Sequence, residues 1–221
     1  GTPRVATRDL AADATYALTY PMTEGAGADL RSTSGWATPL LLGRSHKGLQ
    51  RRDEWSPHWE RTEAGGSVLR FDGTDDRARL PRRSMPYAPF TLEMNLRPEP
   101  APQAMPLFAD PCGVSLRRLA DGHLCLTRKK DSVTSRQPVG ASRWTHVAAV
   151  YDGERLRLFI DGGLEAEAPA AALVARINSL PVIGNNAVFG EGFRGLLGGV
   201  HLESGVRTPG RFALQPAALP R

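Results

Sequence analysis

Apolar and polar residues alternate over short runs along most of this chain, and the runs are closed by Gly, Pro, Asp and Asn clusters between Tyr16 and Leu202. Period-two alternation predicts half-buried β-strands, and its recurrence at short spacing predicts a sandwich or barrel. Phe90, Leu92, Met94 and Leu96 alternate with Thr91, Glu93, Asn95 and Arg97 before Pro98 stops the run. That pattern predicts a strand with one dry and one wet face. Trp144 to Tyr151 reads as a second strand and Arg155 to Ile160 as a third, joined by Asp152-Gly153-Glu154, a hairpin signal. Leu164 to Ala168 begins a fourth, giving a meander. Trp144, with Val147 and Val150 near it, is expected as a core anchor.

Helical signals are nearly absent. Ala168 to Val174 is alanine-rich but contains Pro169 and allows a turn or two. No internal repeat or heptad pattern occurs. From Thr208 onward Pro209, Pro216 and Pro220 suggest a surface wrap or linker. The chain therefore divides into a lead segment (1–14), one β-domain (15–207) and a tail (208–221).

Composition agrees with this picture. A chain of 221 residues, 41% hydrophobic, can bury a core without staples, and its 23 Gly and 18 Pro supply many turns. The net charge of +5 comes from arginines spread in pairs, Arg51-Arg52, Arg82-Arg83 and Arg117-Arg118 among them. The longest basic run is Arg128-Lys129-Lys130, so no nucleic-acid footprint is formed. No run of 18 apolar residues exists, which argues against membrane insertion, and residues 1–10 lack the apolar centre of a signal peptide.

Cys112 and Cys125 cannot make a four-thiolate zinc site. A hairpin about Leu119-Ala120-Asp121-Gly122 turns Val114, Leu116, Leu124 and Leu126 to one face and Cys125 to the other. In that register position 112 lies near 128, about three positions from Cys125 and beyond disulfide reach. Two free thiols are expected.

Five blocks in order then suggest a family. They are Leu18-Thr-Tyr-Pro-Met-Thr-Glu-Gly-Ala-Gly27; Leu69-Arg-Phe-Asp-Gly-Thr-Asp-Asp-Arg-Ala-Arg-Leu-Pro81 with Phe90-Thr-Leu-Glu-Met94; Trp144-Thr-His-Val-Ala-Ala-Val-Tyr-Asp-Gly153; Leu158-Phe-Ile-Asp-Gly162; and Ile183-Gly-Asn-Asn186 with Phe193-Arg-Gly-Leu-Leu197. Over residues 15–207 the chain resembles concanavalin A-like, laminin G-like domains. The resemblance implies an all-β jelly-roll β-sandwich of two antiparallel sheets. It also implies a secreted, periplasmic or cell-surface setting and a carbohydrate- or protein-binding role, so the expected partner is a glycan or a surface protein.

No cofactor is expected except calcium, which many relatives hold at a sheet edge. Asp72, Asp75 and Asp76 offer the hard oxygens such a cation wants, and the family brings the loop of Asp29 near them. The competing reading is a solvated turn. Two departures bear on the metal: Gly198 and Gly199 stand where relatives often carry an Asp, and Trp36 replaces the Asn of a Ser-Gly-Asn loop.

Catalysis is disfavoured. A glycosidase needs two carboxyls facing one cleft, and no Glu-x-Asp pair exists. Glu165-Ala-Glu167 has the spacing but reads as a charged outer face, and Glu93 stands alone on a polar face. Gly190-Glu-Gly-Phe-Arg-Gly195 spells a dinucleotide fingerprint but is followed by a strand pattern, not a helix. The histidines His46, His58, His123, His146 and His201 show no ligand spacing, and His146 and His201 read as structural strand residues.

The remaining binding signal is Asp53-Glu-Trp-Ser-Pro-His-Trp-Glu60, with Trp36 upstream. Indoles can stack on sugar rings while acids and arginines bind hydroxyls. Trp55, Trp36, Arg51, Arg52 and Asp53 are the candidate ligand-binding residues, whereas Trp59 sits where relatives pack a Trp. Two alternatives remain, a structural or protein-contact domain of an extracellular assembly and a polysaccharide hydrolase or lyase.

Overall fold

The computed structural model describes residues 16–34, 39–44, 50–81, 89–111, 113–171, 180–186 and 191–214. The first half of the chain forms β1 (Ala17–Tyr20), β2 (Asp29–Leu30), β3 (Leu40–Leu42), β4 (His58–Arg61), β5 (Ser67–Asp72), β6 (Ala78–Arg79), β7 (Phe90–Pro98) and β8 (Met105–Asp110). The second forms β9 (Val114–Arg118), β10 (His123–Arg128), β11 (Asp131–Pro138), β12 (Thr145–Tyr151), β13 (Arg155–Ile160) and β14 (Gly163–Pro169). It closes with β15 (Val182–Ile183), β16 (Asn185–Asn186), β17 (Glu191–Gly192) and β18 (Arg194–Ser204).

Two antiparallel eight-stranded sheets face each other. Sheet A runs β14-β13-β12-β7-β18-β5-β4 with β1 also on β18, and sheet B runs β11-β10-β9-β8-β15-β6-β3-β2. This is the jelly-roll sandwich that the sequence pattern and the family resemblance imply. Phe90, Leu92, Met94 and Leu96 from β7 meet Leu116, Leu124, Leu126 and Phe108 from sheet B in one core. Asp-Gly turns the chain where expected: Gly153 takes φ +106°, and Asp152 Oδ1 accepts the N–H of Glu154 and Arg155 at 2.9 and 2.8 Å.

β18 organises sheet A. One edge pairs with β7 from Gly195 to Ser204; the other pairs first with β5, ending at Leu197↔Leu69, and then with β1, beginning at Val200↔Tyr20. The register shift against β7 falls between Leu197 and Gly199, so Gly198 is a bulge residue at the change of partner.

Three expectations are corrected. The polar face of β7 is dry at three of its four positions: Thr91 and Glu93 are 0% and Asn95 5% exposed, and Arg97 alone reaches solvent. The chain after β18 folds back over it, a tertiary event that alternation along one strand does not encode. Thr91 Oγ1 donates to Gly205 O and accepts from Arg207 N; the Glu93 carboxylate accepts Ala213 N and Leu214 N at 3.0 and 2.9 Å, with His146 Nε2 at 3.2 Å. Phe212 packs against His146 and Phe159, with ring centroids 5.2 and 5.4 Å apart. Glu93 is thus neither alone nor wet.

Trp144 is not a core anchor either. It stands half-buried just before β12 and outside the core clusters. Alternation explains this, because Val147, Ala149 and Tyr151 point to the core while His146, Ala148 and Val150, of the same parity as 144, point outward. The third correction concerns register. Val114, Leu116, Leu124 and Leu126 face the core as expected, but Arg128 pairs with Val114, so the register is shifted by two residues from the expected pairing of positions 112 and 128. Cys125 is a half-buried free thiol; Cys112 lies outside the described residues, as does most of the alanine-rich stretch after Pro169, itself the end of β14.

Removing the Glu93 carboxylate should strand two backbone N–H groups and a buried imidazole. Glu93→Ala is expected to destabilise the fold by about 3–5 kcal/mol, measured by urea unfolding. Loss of protection of the Ala213 and Leu214 amides in hydrogen exchange should accompany it.

Candidate functional site

The end of β5 makes an acidic corner. Asp72 Oδ1 accepts the Thr74 N–H at 2.7 Å, and Gly73 turns the chain at φ +89°, where an added Cβ would meet Arg194 Cβ at 2.9 Å. Asp76 folds inward, 5% exposed, and its Oδ2 accepts the Asp72 N–H at 2.8 Å. Carboxylate oxygens of Asp72, Asp75 and Asp76 consequently lie within 4.8 Å of one another. Burial, followed by the nearby charges of Asp72 and Asp75, pushes the Asp76 carboxyl up to about 6, against the Asp72 N–H bond and His58, which favour its charged form.

This donor set fits a hard divalent cation: three carboxylates with oxygens within 4.8 Å of one another. Asp29 is not part of it. It lies on β2, exposed, with β3 between it and β6, and the strand carrying Gly198 and Gly199 adds no carboxylate. Among the described residues, Asp72, Asp75 and Asp76 are the one group of three or more His, Cys, Asp or Glu side chains close enough to share a metal.

The predicted ligand loop abuts this corner. Asp53–Trp55 forms a 3-10 turn, tied down by Arg52 N donating to Gly43 O at 3.0 Å and Ser56 N to Asp53 O at 3.0 Å. Arg77 is the hinge between loop and acids: its N–H donates to Trp55 O at 3.0 Å and its Nε to Asp75 O at 2.9 Å. Its guanidinium lies 4.5 Å from the Trp55 ring centroid, and that of Arg52 lies 4.6 Å away. Trp55, half-buried, is therefore braced by two cations, each such contact worth about 0.5–2 kcal/mol. Arg51 and Asp53 form an exposed ion pair at 3.0 Å. Trp36 lies outside the described residues. Trp59 is packed as expected, against the core with Nε1 donating to Gly27 O at 2.8 Å.

Nothing resembling a catalytic carboxyl pair emerges among the acids singled out. A bulge on β14 leaves Glu165 unmatched between Leu164↔Phe159 and Ala166↔Leu158, and the two glutamates take different partners. Glu165 accepts Gln137 N, whereas Glu167 pairs with Arg155 and Arg157. His201 sits in a cross-strand ladder, Thr19 Oγ1 to Nδ1 at 2.8 Å and Nε2 to Glu203 at 3.1 Å. Burial opposes the charge of Glu203, but the bonds from His201 and Arg207 outweigh it and hold the group down at about 2. The glycine-rich stretch leads into β18, with strand on both sides of Phe193 and no helix. No helix among the described residues is long and apolar enough to cross a membrane.

Residues 72–211 match the concanavalin A-like lectin/glucanases superfamily, so the chain belongs to that superfamily. The fold is similar to domain 4 of AbnA, a GH43 extracellular arabinanase from Geobacillus stearothermophilus, in complex with arabinotriose: TM-score 0.69, 17% identity, 89% of this chain and 96% of that one. It is also similar to the ligand-binding domain of botulinum neurotoxin serotype D in complex with N-acetylneuraminic acid (0.62, 15%, 87% of this chain, 48% of that). Trypanosoma rangeli sialidase is a third (0.61, 13%, 87% and 31%). This chain spans about half of the toxin domain and a third of the sialidase. A sequence comparison with curated proteins gave no match.

A raised Asp76 pKa makes the metal-free fold gain stability as pH falls from about 6 toward 4, because the native state then binds more protons than the unfolded chain. Asp76→Asn should flatten that slope in thermal unfolding between pH 7.5 and 4.5 while keeping the bond to Asp72 N. Millimolar calcium should raise the melting temperature of the parent chain at pH 7.5, and by less in the variant.

Proposed function

We propose that this chain is a non-catalytic carbohydrate-binding module of a secreted or cell-surface protein, binding its glycan at the corner formed by Trp55, Arg52, Arg77, Asp75 and Asp76. The observation that carries this reading is Arg77, whose guanidinium lies over the Trp55 ring while its Nε bonds the main-chain carbonyl of Asp75, so that the indole and the acidic turn adjoin. Sugars ask for that combination, since their C–H faces pack on an indole and their hydroxyls bond to charged and backbone groups. Arg51 and Asp53 flank the patch and Trp36 precedes it in sequence.

Calcium, held by Asp72, Asp75 and Asp76, would neutralise the acids and offer open coordination positions to sugar hydroxyls. The arabinanase domain and the toxin domain, each in complex with a sugar, lend fold-level support, and the arabinanase is extracellular. The absence of a shared cleft for Glu165 and Glu167, and the sealing of Glu93 under the returning chain, favour binding over hydrolysis.

A broad glycan array with 2 mM calcium tests the reading. Binding to one glycan class is expected, with Trp55→Ala weakening it at least tenfold. Silence of the parent chain across the array, or full binding by Trp55→Ala, would remove this site.

A further inference from the structure

We propose that Arg52 is a movable cover of the Trp55 indole, a side chain that a glycan displaces to reach the ring and that thereby limits affinity. The proposal rests on the carbohydrate-binding reading above and concerns the regulation of that same site. Two guanidinium groups lie over the Trp55 ring, that of Arg77 4.5 Å and that of Arg52 4.6 Å from its centroid. A sugar packs its C–H face on an indole at carbon contact distance, about 4 Å, so sugar and guanidinium compete for the same ground.

The two cations are not held alike. Arg77 is half-buried; its N–H donates to Trp55 O at 3.0 Å and its Nε to Asp75 O at 2.9 Å. Burial pulls its pKa below the ordinary arginine value, against Asp75 and Asp76, and a cation stripped of water binds a ring more strongly than a hydrated one. Arg52 has a fixed main chain, its N–H donating to Gly43 O at 3.0 Å and its carbonyl accepting the Trp55 N–H at 3.2 Å. Its side chain, however, is 53% exposed, and the ion pair it makes, Nη1 to Glu54 Oε1 at 3.4 Å, is an exposed one of the kind that contributes little in water.

Like charges that share one ring repel each other, and the more loosely held one yields. Arg77 therefore stays as the brace and Arg52 moves. Rotation of the Arg52 side chain suffices, because the backbone at 52 is pinned and the Glu54 carboxylate beside it keeps the displaced guanidinium paired. Exchanging a cation for a C–H face forfeits one cation–π contact, so affinity is set below what the bare indole would give. Arg52 lines the corner as a brake on binding.

Calorimetric titration of the full chain with arabinotriose, N-acetylneuraminic acid and the free oligosaccharide of the strongest array signal tests this. Arg52→Ala is expected to bind at least one of them about two- to fivefold tighter than the parent chain does, the worth of one exposed cation–π contact. In NMR spectra of the parent chain, the δ-methylene protons of Arg52, shielded by the indole, are expected to return to their ordinary position as the sugar saturates, while those of Arg77 stay shielded. This second measurement needs no variant and decides the matter should Arg52→Ala not fold. Unchanged or weaker binding by Arg52→Ala, Arg52 protons that stay shielded in the complex, or loss of shielding at Arg77 instead overturns the cover while leaving carbohydrate binding intact. No binding by any sugar, here and on the array, overturns both.

Discussion

β18 is the constraint on which sheet A depends. Its eleven residues hydrogen-bond along both edges, and no neighbour in that sheet could be placed without it: β7 on one side, β5 and then β1 on the other. Gly198 at the bulge and Gly199 beside it make the exchange possible. A Cβ at 199 would lie in ordinary contact with Leu214 Cδ2, at 3.4 Å, the residue whose N–H closes on Glu93. The strand that joins the sheet thus also fits the cover that dries its outer face. The acidic corner, for its part, draws its three carboxylates from residues 72–76.

Most of the architecture was legible in the sequence because it follows from local pattern. Alternation marked β7, β12 and β13, Asp-Gly marked the turn between the last two, and the ordered family blocks gave the two-sheet arrangement. What escaped was everything set by residues distant in the chain. Nothing within Phe90–Pro98 announces that Ala213 and Leu214 will return to Glu93, some 120 positions later. A carboxylate on a polar face reads as wet, and the backbone donors that make burial tolerable carry no side-chain signature. Trp144 differs in kind: its size suggests a core anchor, but its parity sends it outward with His146.

The site was legible as parts and illegible as a whole. Trp55 and Arg52 were marked by residue type, and Asp72, Asp75 and Asp76 by clustering, but the link between the two groups was missed. Arg77 looked like one more dispersed arginine. Its role comes from its place just before β6, where its N–H meets Trp55 O at the end of the 3-10 turn. Asp29 shows the converse, since a family-based juxtaposition was not realised once β3 ran between β2 and β6.

The pairing of β18 with β7, β5 and β1 also orders events in time. Every one of those contacts spans roughly a hundred residues or more, the kind of long-range closure that makes β-sandwiches slow to fold. During synthesis β5 and β7 leave the ribosome with apolar inner faces and no central neighbour until residues 194–204 follow. The hairpins β9–β10 and β12–β13 can form first, as local structures with short loops. The nascent chain is therefore a pair of half-sheets waiting for one late strand, and that interval, more than the finished fold, is when its exposed edges invite association with other chains.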